Sequence, residues 1–298
     1  MHEPAIESDV GAQVDADGGR GATARPPLLA IAVLALFVLV ALLGPWIAPH
    51  DAQLASLANR NKPPAWLEHG TMRYLLGTDH LGRDVLSRLI MGARISLAVG
   101  VAAVLAAGTI GTLLGLLAGY LGGWVDQLVM RVVDAWMALP ALIFAIFLAA
   151  LVGPSELNIV LILGGVYWTR YARVVRGEVL SLRERDFVRL AVVTGCSPAR
   201  IMLRHLLPNV MNTVIVLATL MLGVVIVTEA SLSFLGVGVP PPQPAWGLML
   251  ADGKKSMVAG YWWSAVFPGL AIMLVVLTAS LLGDWIRDRL DPRLQGRR

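Results

Sequence analysis

Residues 173–209 read RVVRGEVLSLRERDFVRLAVVTGCSPARIMLRHLLPN and lie between two strongly apolar runs. The pattern predicts two short helices, over residues 178–194 and 198–207, each with both basic and apolar side chains on its surface. We call residues 173–209 the elbow. Its position predicts an element that projects from a membrane bundle and is held between two spans.

The turn between the two predicted helices has suitable residues at each position. Gly195 is a good helix stop because glycine takes a left-handed conformation without steric penalty. Ser197 is a favourable N-cap, and Pro198 suits the first helical position. Pro208 ends the second helix or kinks it into the next apolar run. These residues predict a rigid helix-turn-helix.

The composition of the whole chain requires a lipid environment. Of 298 residues, 57% are hydrophobic and 15% are charged, whereas soluble domains carry about 25% charged residues. Such a chain has too few polar groups to cover its surface in water. The single cysteine, Cys196, excludes a disulfide within the chain and a cysteine metal cluster.

Six apolar runs predict an all-α integral membrane protein, because lipid offers no hydrogen-bond partner to an open backbone. The predicted spans are 28–48, 95–121, 132–152, 159–171, 210–234 and 262–282. The remaining segments are a disordered tail (1–27), an outer loop (49–94), a core of five spans with the elbow (95–285) and a basic tail (286–298).

The distribution of basic residues predicts that both termini are cytoplasmic. With that orientation, sixteen Lys and Arg lie on the inner side and eight on the outer side. The exception is residues 73–94, which carry four arginines on the predicted outer side. Their amphipathic pattern predicts a segment that lies in the interface with its arginines snorkelling towards water.

Three interpretations of the elbow follow from physics alone. A rigid amphipathic element can dock a soluble partner, with apolar side chains filling a groove and arginines setting the register. A basic loop can also simply be solvated and fix orientation. A DNA-binding helix-turn-helix is disfavoured because the flanking spans hold the element at the bilayer surface.

The elbow resembles the conserved cytoplasmic loop of binding-protein-dependent ABC importer permeases. That loop reads Glu-Ala-Ala, three residues, Gly, nine residues, Ile, one residue, Leu-Pro. Only the final Ala of the triplet is present here, Arg189 stands at the position of the Glu, and His205 replaces the Ile. The resemblance implies an ATPase-coupling role for Arg189, Leu190, Ala191, Gly195, Ser197, Pro198, Ile201, His205, Leu207, Pro208 and Asn209.

Other stretches resemble the second permease subunit of the dipeptide, oligopeptide and nickel importer family. They are residues 76–88, 130–140, 171–178 and 229–247, and the resemblance covers residues 28–292. The first of them matches the family's outer motif, here Gly77, Thr78, Asp79, Gly82, Arg83 and Asp84. The family resemblance implies a type I ABC importer permease bundle in a bacterial inner membrane, with the elbow as its coupling loop.

The resemblance also implies partners and a division of labour. The expected partners are a related permease, two ABC ATPases, an extracytoplasmic binding protein and the lipid bilayer, with no nucleic acid. ATP and magnesium are expected on the ATPases, because the nearest match to a phosphate-binding loop, at Gly253-Lys254-Lys255, lacks the required residues. We therefore expect no catalytic residue, metal or cofactor in this chain. Peptides and nickel both remain open as substrates.

Polar residues inside the predicted spans are candidates for function. We expect Asp134 to pair locally with Arg131, and Glu229 either to line the pathway or, preferably, to support the next loop. Small residues on one face of the second span predict close helix packing within or across subunits; they are Gly108, Gly111, Gly115 and Gly119.

Two rival functions are a secondary transporter or channel and a membrane enzyme. The former predicts midplane charges or an internal repeat, and no clear repeat is present in the sequence. The latter needs a catalytic constellation, and His80, Asp79 and His205 do not form a recognisable one.

Overall fold

A computed structural model describes residues 26–290 as an all-helical bundle. The predicted tails, 1–27 and 286–298, lie for the most part outside the described residues. The helices are α1 (Leu28–Ile47), α2 (Val85–Leu121), α3 (Gly123–Met137), α4 (Ala141–Val152), α5 (Glu156–Arg183), α6 (Asp186–Val193), α7 (Pro198–Arg200), α8 (Leu207–Phe234), α9 (Trp246–Val258) and α10 (Trp263–Leu290).

Four helical segments within residues 26–290 are long and apolar enough to cross a membrane. They are α1, α2, α10 and the segment Pro198–Phe234, which contains α8. The pair α3 and α4 makes a fifth if the two count as one bent span. The remaining predicted span, 159–171, lies in α5, whose second half is rich in arginine.

The third predicted span, 132–152, is not one continuous helix. The chain is helical from Gly123, breaks after Met137, and resumes at Ala141 with a bend of 90°. Pro140 stands immediately before α4. A proline disfavours helical geometry in the residue that precedes it and lacks an N–H to continue the helix, so the break falls at this point.

The second helix begins ten residues earlier than predicted, at Val85 instead of residue 95. The Asp84 carboxylate caps it by accepting from the backbone N–H of Ser87 at 3.0 Å. The predicted interfacial segment is therefore partly the first turns of α2. Its arginines Arg83 and Arg88 are buried instead of snorkelling, with 6% and 1% of their surface exposed.

Helix α2 is central, and its glycine face packs directly on α5. A Cβ built at Gly111 would lie 2.3 Å from the carbonyl oxygen of Trp168, and one at Gly115 would lie 2.6 Å from that of Ala172. The close packing predicted for this face thus occurs within the subunit, and the two helices run parallel.

The bundle has two distinct ends, separated by the length of α2, about 55 Å for 37 residues. One end, which we call the 49–84 end, contains the loop of residues 49–84 and α9, a helix that the sequence did not predict. The other end carries the elbow, which packs near the last turns of α2 and α5.

Candidate functional site

The elbow is a helix-turn-helix whose helix boundaries differ from those predicted. The first predicted helix, 178–194, is in fact the last turns of α5 followed by α6, with Glu184 and Arg185 between them. The long helix α5 therefore runs directly into the elbow. Only two residues separate α5 from α6, so no long linker lies between them.

The turn after α6 has the expected glycine geometry. Gly195 has φ of +76°, its N–H donates to the Val192 carbonyl at 3.0 Å, and the Cys196 N–H donates to the Ala191 carbonyl at 3.0 Å. This pair of bonds is the Schellman arrangement, which satisfies the last carbonyls of a helix. The prediction that Gly195 stops the helix is confirmed.

The second half of the elbow begins as predicted, and of the two alternatives at Pro208 the structure shows continuation into the next helix. The Ser197 hydroxyl accepts from the Arg200 N–H, and Pro198 occupies the first turn. The chain then passes through a π-helical turn, Ile201–Leu206, and continues as α8 with Pro208 in its first turn. A widened turn accommodates the proline ring without breaking the helix.

The elbow has one buried face and one exposed face. Val188, Ala191, Ile201 and Leu206 are buried in the same core cluster as residues of α2 and α5. The opposite face exposes large apolar side chains to the surroundings; they are Phe187, Leu190, Val192, Val193 and Leu203. Burial of one face holds the elbow rigid, and the exposed apolar face is available for a partner.

Arg189, which stands at the family's glutamate position, pairs within the elbow itself. Its guanidinium donates to the Glu184 carboxylate at 2.9 Å, and both side chains are exposed. That hydrogen bond holds the pKa of Glu184 below its usual range. The pair is therefore charged at neutral pH and links α6 to Glu184, the residue after α5.

The outer-motif residues form a compact cluster, the motif cluster, at the 49–84 end. Gly77 and Gly82 both have positive φ, of +78° and +75°, and make tight turns against the backbone of residues 56–62. The Thr78 hydroxyl donates to the Asn59 carbonyl at 2.5 Å and accepts from the Lys62 N–H at 2.8 Å. The motif thus folds its loop onto the start of α2.

A buried ion-pair network lies within this motif cluster. The Asp79 carboxylate accepts from Arg83 Nε and from Arg88 Nη1, each at 2.7 Å. Asp252, on α9, accepts from Arg83 Nη2 at 2.8 Å and approaches Arg88 Nη2 at 3.4 Å. Two arginines are therefore balanced by two carboxylates, and α9 is fastened to the loop before α2.

The same carboxylates place metal-ligand atoms together, but their surroundings disfavour a cation. Asp79, His80 and Asp252 each offer one ligand atom, all within 4.8 Å of one another. Both carboxylates already accept from Arg83 and Arg88. A divalent cation here would face two guanidinium groups, so the geometry fits an ion-pair network better than a metal site.

The two polar residues singled out in predicted spans have well-defined contacts. Asp134 pairs with Arg173 of α5 at 2.6 Å and not with Arg131, so the predicted local pair is wrong. Helix α3 lies along α5, which brings Arg173 within reach. Glu229 is fully buried and accepts from the Ser233 hydroxyl at 2.8 Å; that hydroxyl accepts from the Val239 N–H at 3.1 Å. Glu229 thus supports the following loop through Ser233.

Sequence reasoning did not identify Asp252 or Arg173 as partners. One signal pointed to Asp252: the excess of arginine on the predicted outer side needs compensating acids. The partner of Asp252 lies more than 160 residues away in the chain, so local spacing could not identify it.

Two family models match the chain. The model described as "Binding-protein-dependent transport system inner membrane component" matches residues 111–296. The model described as "N-terminal TM domain of oligopeptide transport permease C" matches residues 25–64. The first covers the bundle from the last third of α2 onwards, including the whole elbow.

Named relatives are similar over most of their length. A di/tripeptide transport system permease protein of Pseudomonas aeruginosa is 43% identical over 260 residues, 87% of this chain and 86% of the relative. A glutathione transport system permease protein of Escherichia coli is 42% identical over 262 residues, 88% of this chain and 84% of the relative.

Proposed function

The chain belongs to the inner-membrane components of binding-protein-dependent transport systems, and from this premise we propose that it forms half of the translocation pathway of an ABC importer for peptides. The names of the two relatives described above include di/tripeptide and glutathione. Nickel appears in neither name, so short peptides are the proposed substrates. A related permease supplies the other half of the pathway.

The single observation that carries the coupling role is the exposed apolar face of a rigid elbow. Leu190 is 63% exposed and Val193 is 82% exposed, yet the helix beneath them is anchored through buried Val188. An ATPase surface that covers this face removes apolar area from water. Because the elbow continues α5 and leads into α8, movement of the ATPase is transmitted to the membrane helices.

The orientation that suits this role has the elbow in the cytoplasm. Basic side chains concentrate at the elbow end, in accordance with the charge asymmetry of membrane proteins. At the opposite end, Arg83 and Arg88 are neutralised by Asp79 and Asp252. They therefore place little net charge on the outer side. ATP and magnesium act on the partner ATPases, where hydrolysis takes place.

Replacing Leu190 with aspartate tests the docking surface. We expect Leu190→Asp to weaken ATPase binding by about 30-fold or more, because a charge replaces a central apolar contact. The measurement is co-purification of the ATPase subunits in mild detergent, with the ATP hydrolysis rate of the complex. The control is Leu54→Asp, a leucine 70% exposed at the opposite end. Equal ATPase recovery in both variants would contradict the elbow as the docking site.

Substitutions at Gly195 offer a second test, in which the backbone conformation and not steric contact with neighbours decides the outcome. A Cβ at Gly195 meets nothing within 4 Å, yet φ is +76°, so a side chain there costs about 1–2 kcal/mol through the backbone alone. We expect Gly195→Val to uncouple ATP hydrolysis from transport while the protein still inserts. Gly195→Asn should retain coupling, because asparagine tolerates this conformation. Transport by Gly195→Val at the rate of the unmodified protein would show that the Schellman turn is not needed for coupling.

The alternative function is a secondary transporter, which would work without nucleotide. The buried carboxylate of Glu229 is the observation that favours it, since intramembrane acids often serve ion coupling. Uptake driven by an ion gradient in vesicles that contain this chain without ATPases would support the alternative and exclude the importer.

A further inference from the structure

A large open cavity lies at the 49–84 end, beside the motif cluster. Its volume is about 710 Å³, within the range of sites for small ligands, about 300–1,000 Å³. It is lined by the end of α1 and the residues that follow it (48–53), the first half of α2, the first residue of α5 and the loop before α9. In the proposed orientation, this cavity opens on the side from which substrate arrives.

Four ionisable side chains line the cavity, and two of them are already engaged. His50 Nδ1 lies 3.3 Å from the Asp84 carboxylate. The Asp51 carboxylate accepts from the Gln53 N–H at 2.8 Å within its own turn. The other two, Arg94 and Glu156, have no hydrogen-bond or ion-pair partner among the side chains of residues 26–290. The cavity therefore presents one available cation and one available anion.

Arg94 lies in the first turns of α2, immediately before the predicted span 95–121. It lies nine residues into α2, about 14 Å from the helix start. Its side chain is exposed and lines the cavity. Glu156 occupies the first turn of α5, where the helix dipole stabilises its negative charge. Both side chains thus face the same cavity.

We propose that this cavity receives a short zwitterionic peptide during translocation, with Arg94 binding its C-terminal carboxylate and Glu156 binding its N-terminal ammonium. The proposal rests on the importer function and adds the feature of the substrate that the permease itself recognises. A guanidinium matches a carboxylate through paired hydrogen bonds, and a carboxylate accepts from an ammonium. Peptide side chains then lie against the apolar part of the wall, which includes Met91, Ile95 and Ala98.

The test uses the complete transporter, with its binding protein, in proteoliposomes. Uptake of dialanine and trialanine is compared with uptake of their N-acetyl and C-amide derivatives. Arg94→Gln and Glu156→Gln are the test variants, with Arg60→Gln and Glu68→Gln as controls in the exposed loop of the same end. Because the binding protein is the same throughout, any change of preference between variants originates in the permease.

The expected result is reciprocal. Arg94→Gln should raise the KM for the free peptide about tenfold and remove discrimination against the C-amide only. Glu156→Gln should do the same for the N-acetyl derivative, and neither control should alter preference. ATP-dependent uptake with unchanged preferences in both variants would overturn the inference and leave the importer function intact.

Two further outcomes would also overturn it. Absence of ATP-dependent uptake by the unmodified transporter would remove the importer function together with the inference. If KM followed the phosphatidylethanolamine content of the vesicles and not the peptide termini, the zwitterion bound in the cavity would be a lipid headgroup.

Discussion

Replacement of Gly111 by alanine is expected to destabilise the whole bundle, by about 3 kcal/mol or more, because it forces apart the two helices at its centre. The added Cβ would lie 2.3 Å from the Trp168 carbonyl oxygen and 2.5 Å from Tyr171 Cβ. Both are parts of the α5 backbone or directly attached to it, so neither can move without shifting the helix. The effect should decrease towards Gly119, where the nearest atoms, Cβ and Cγ1 of Val179, lie farther away, at 2.8 Å.

Gly177→Ala is the matched control for this prediction. Gly177 also lies in α5, but a Cβ there meets nothing within 4 Å. Alanine should therefore stabilise the helix slightly, by about 1 kcal/mol or less. The measurement is the thermal unfolding midpoint of the purified protein in detergent. Equal midpoints for Gly111→Ala and the unmodified protein would show that α2 and α5 do not approach this closely.

Replacement of Asp79 by asparagine is expected to cost about 3–5 kcal/mol, because it leaves a buried charge without its counterion. Arg88 is 1% exposed and depends on Asp79 for its 2.7 Å ion pair. Asp252 then has to balance both arginines alone, and it lies 3.4 Å from Arg88. We expect the loop before α2 to loosen, because Asp79 holds it to Arg83 and Arg88, and protease cleavage near residues 77–84 would report this.

Asp134→Asn is the matched control, since it removes an ion pair whose partners are exposed by 65% and 49%. An exposed pair contributes about 1 kcal/mol or less, so unfolding should change little. A double variant, Asp79→Asn with Arg88→Met, should recover part of the loss because it removes the unpaired charge as well. Equal effects of Asp79→Asn and Asp134→Asn on unfolding would argue against a dry ion-pair network.

Local chemistry made several features predictable from sequence. Gly195, Ser197 and Pro198 specify the elbow turn because positive φ, a capping hydroxyl and a missing N–H each suit one position only. The apolar runs marked the membrane helices for the same reason: lipid imposes a length and a composition on each span. Helix starts and breaks were less predictable, as the early start of α2 and the bend before α4 illustrate.

The sequence by itself determined that this is a helical membrane protein with a rigid elbow between two helices, because those properties depend on composition and on residues a few positions apart. Tertiary structure alone decided that Arg88 is buried between Asp79 and Asp252, that Asp134 pairs with Arg173, and which glycines meet α5. These contacts join residues that are distant in the chain, and charge pairing in a low-dielectric interior depends on distance in space.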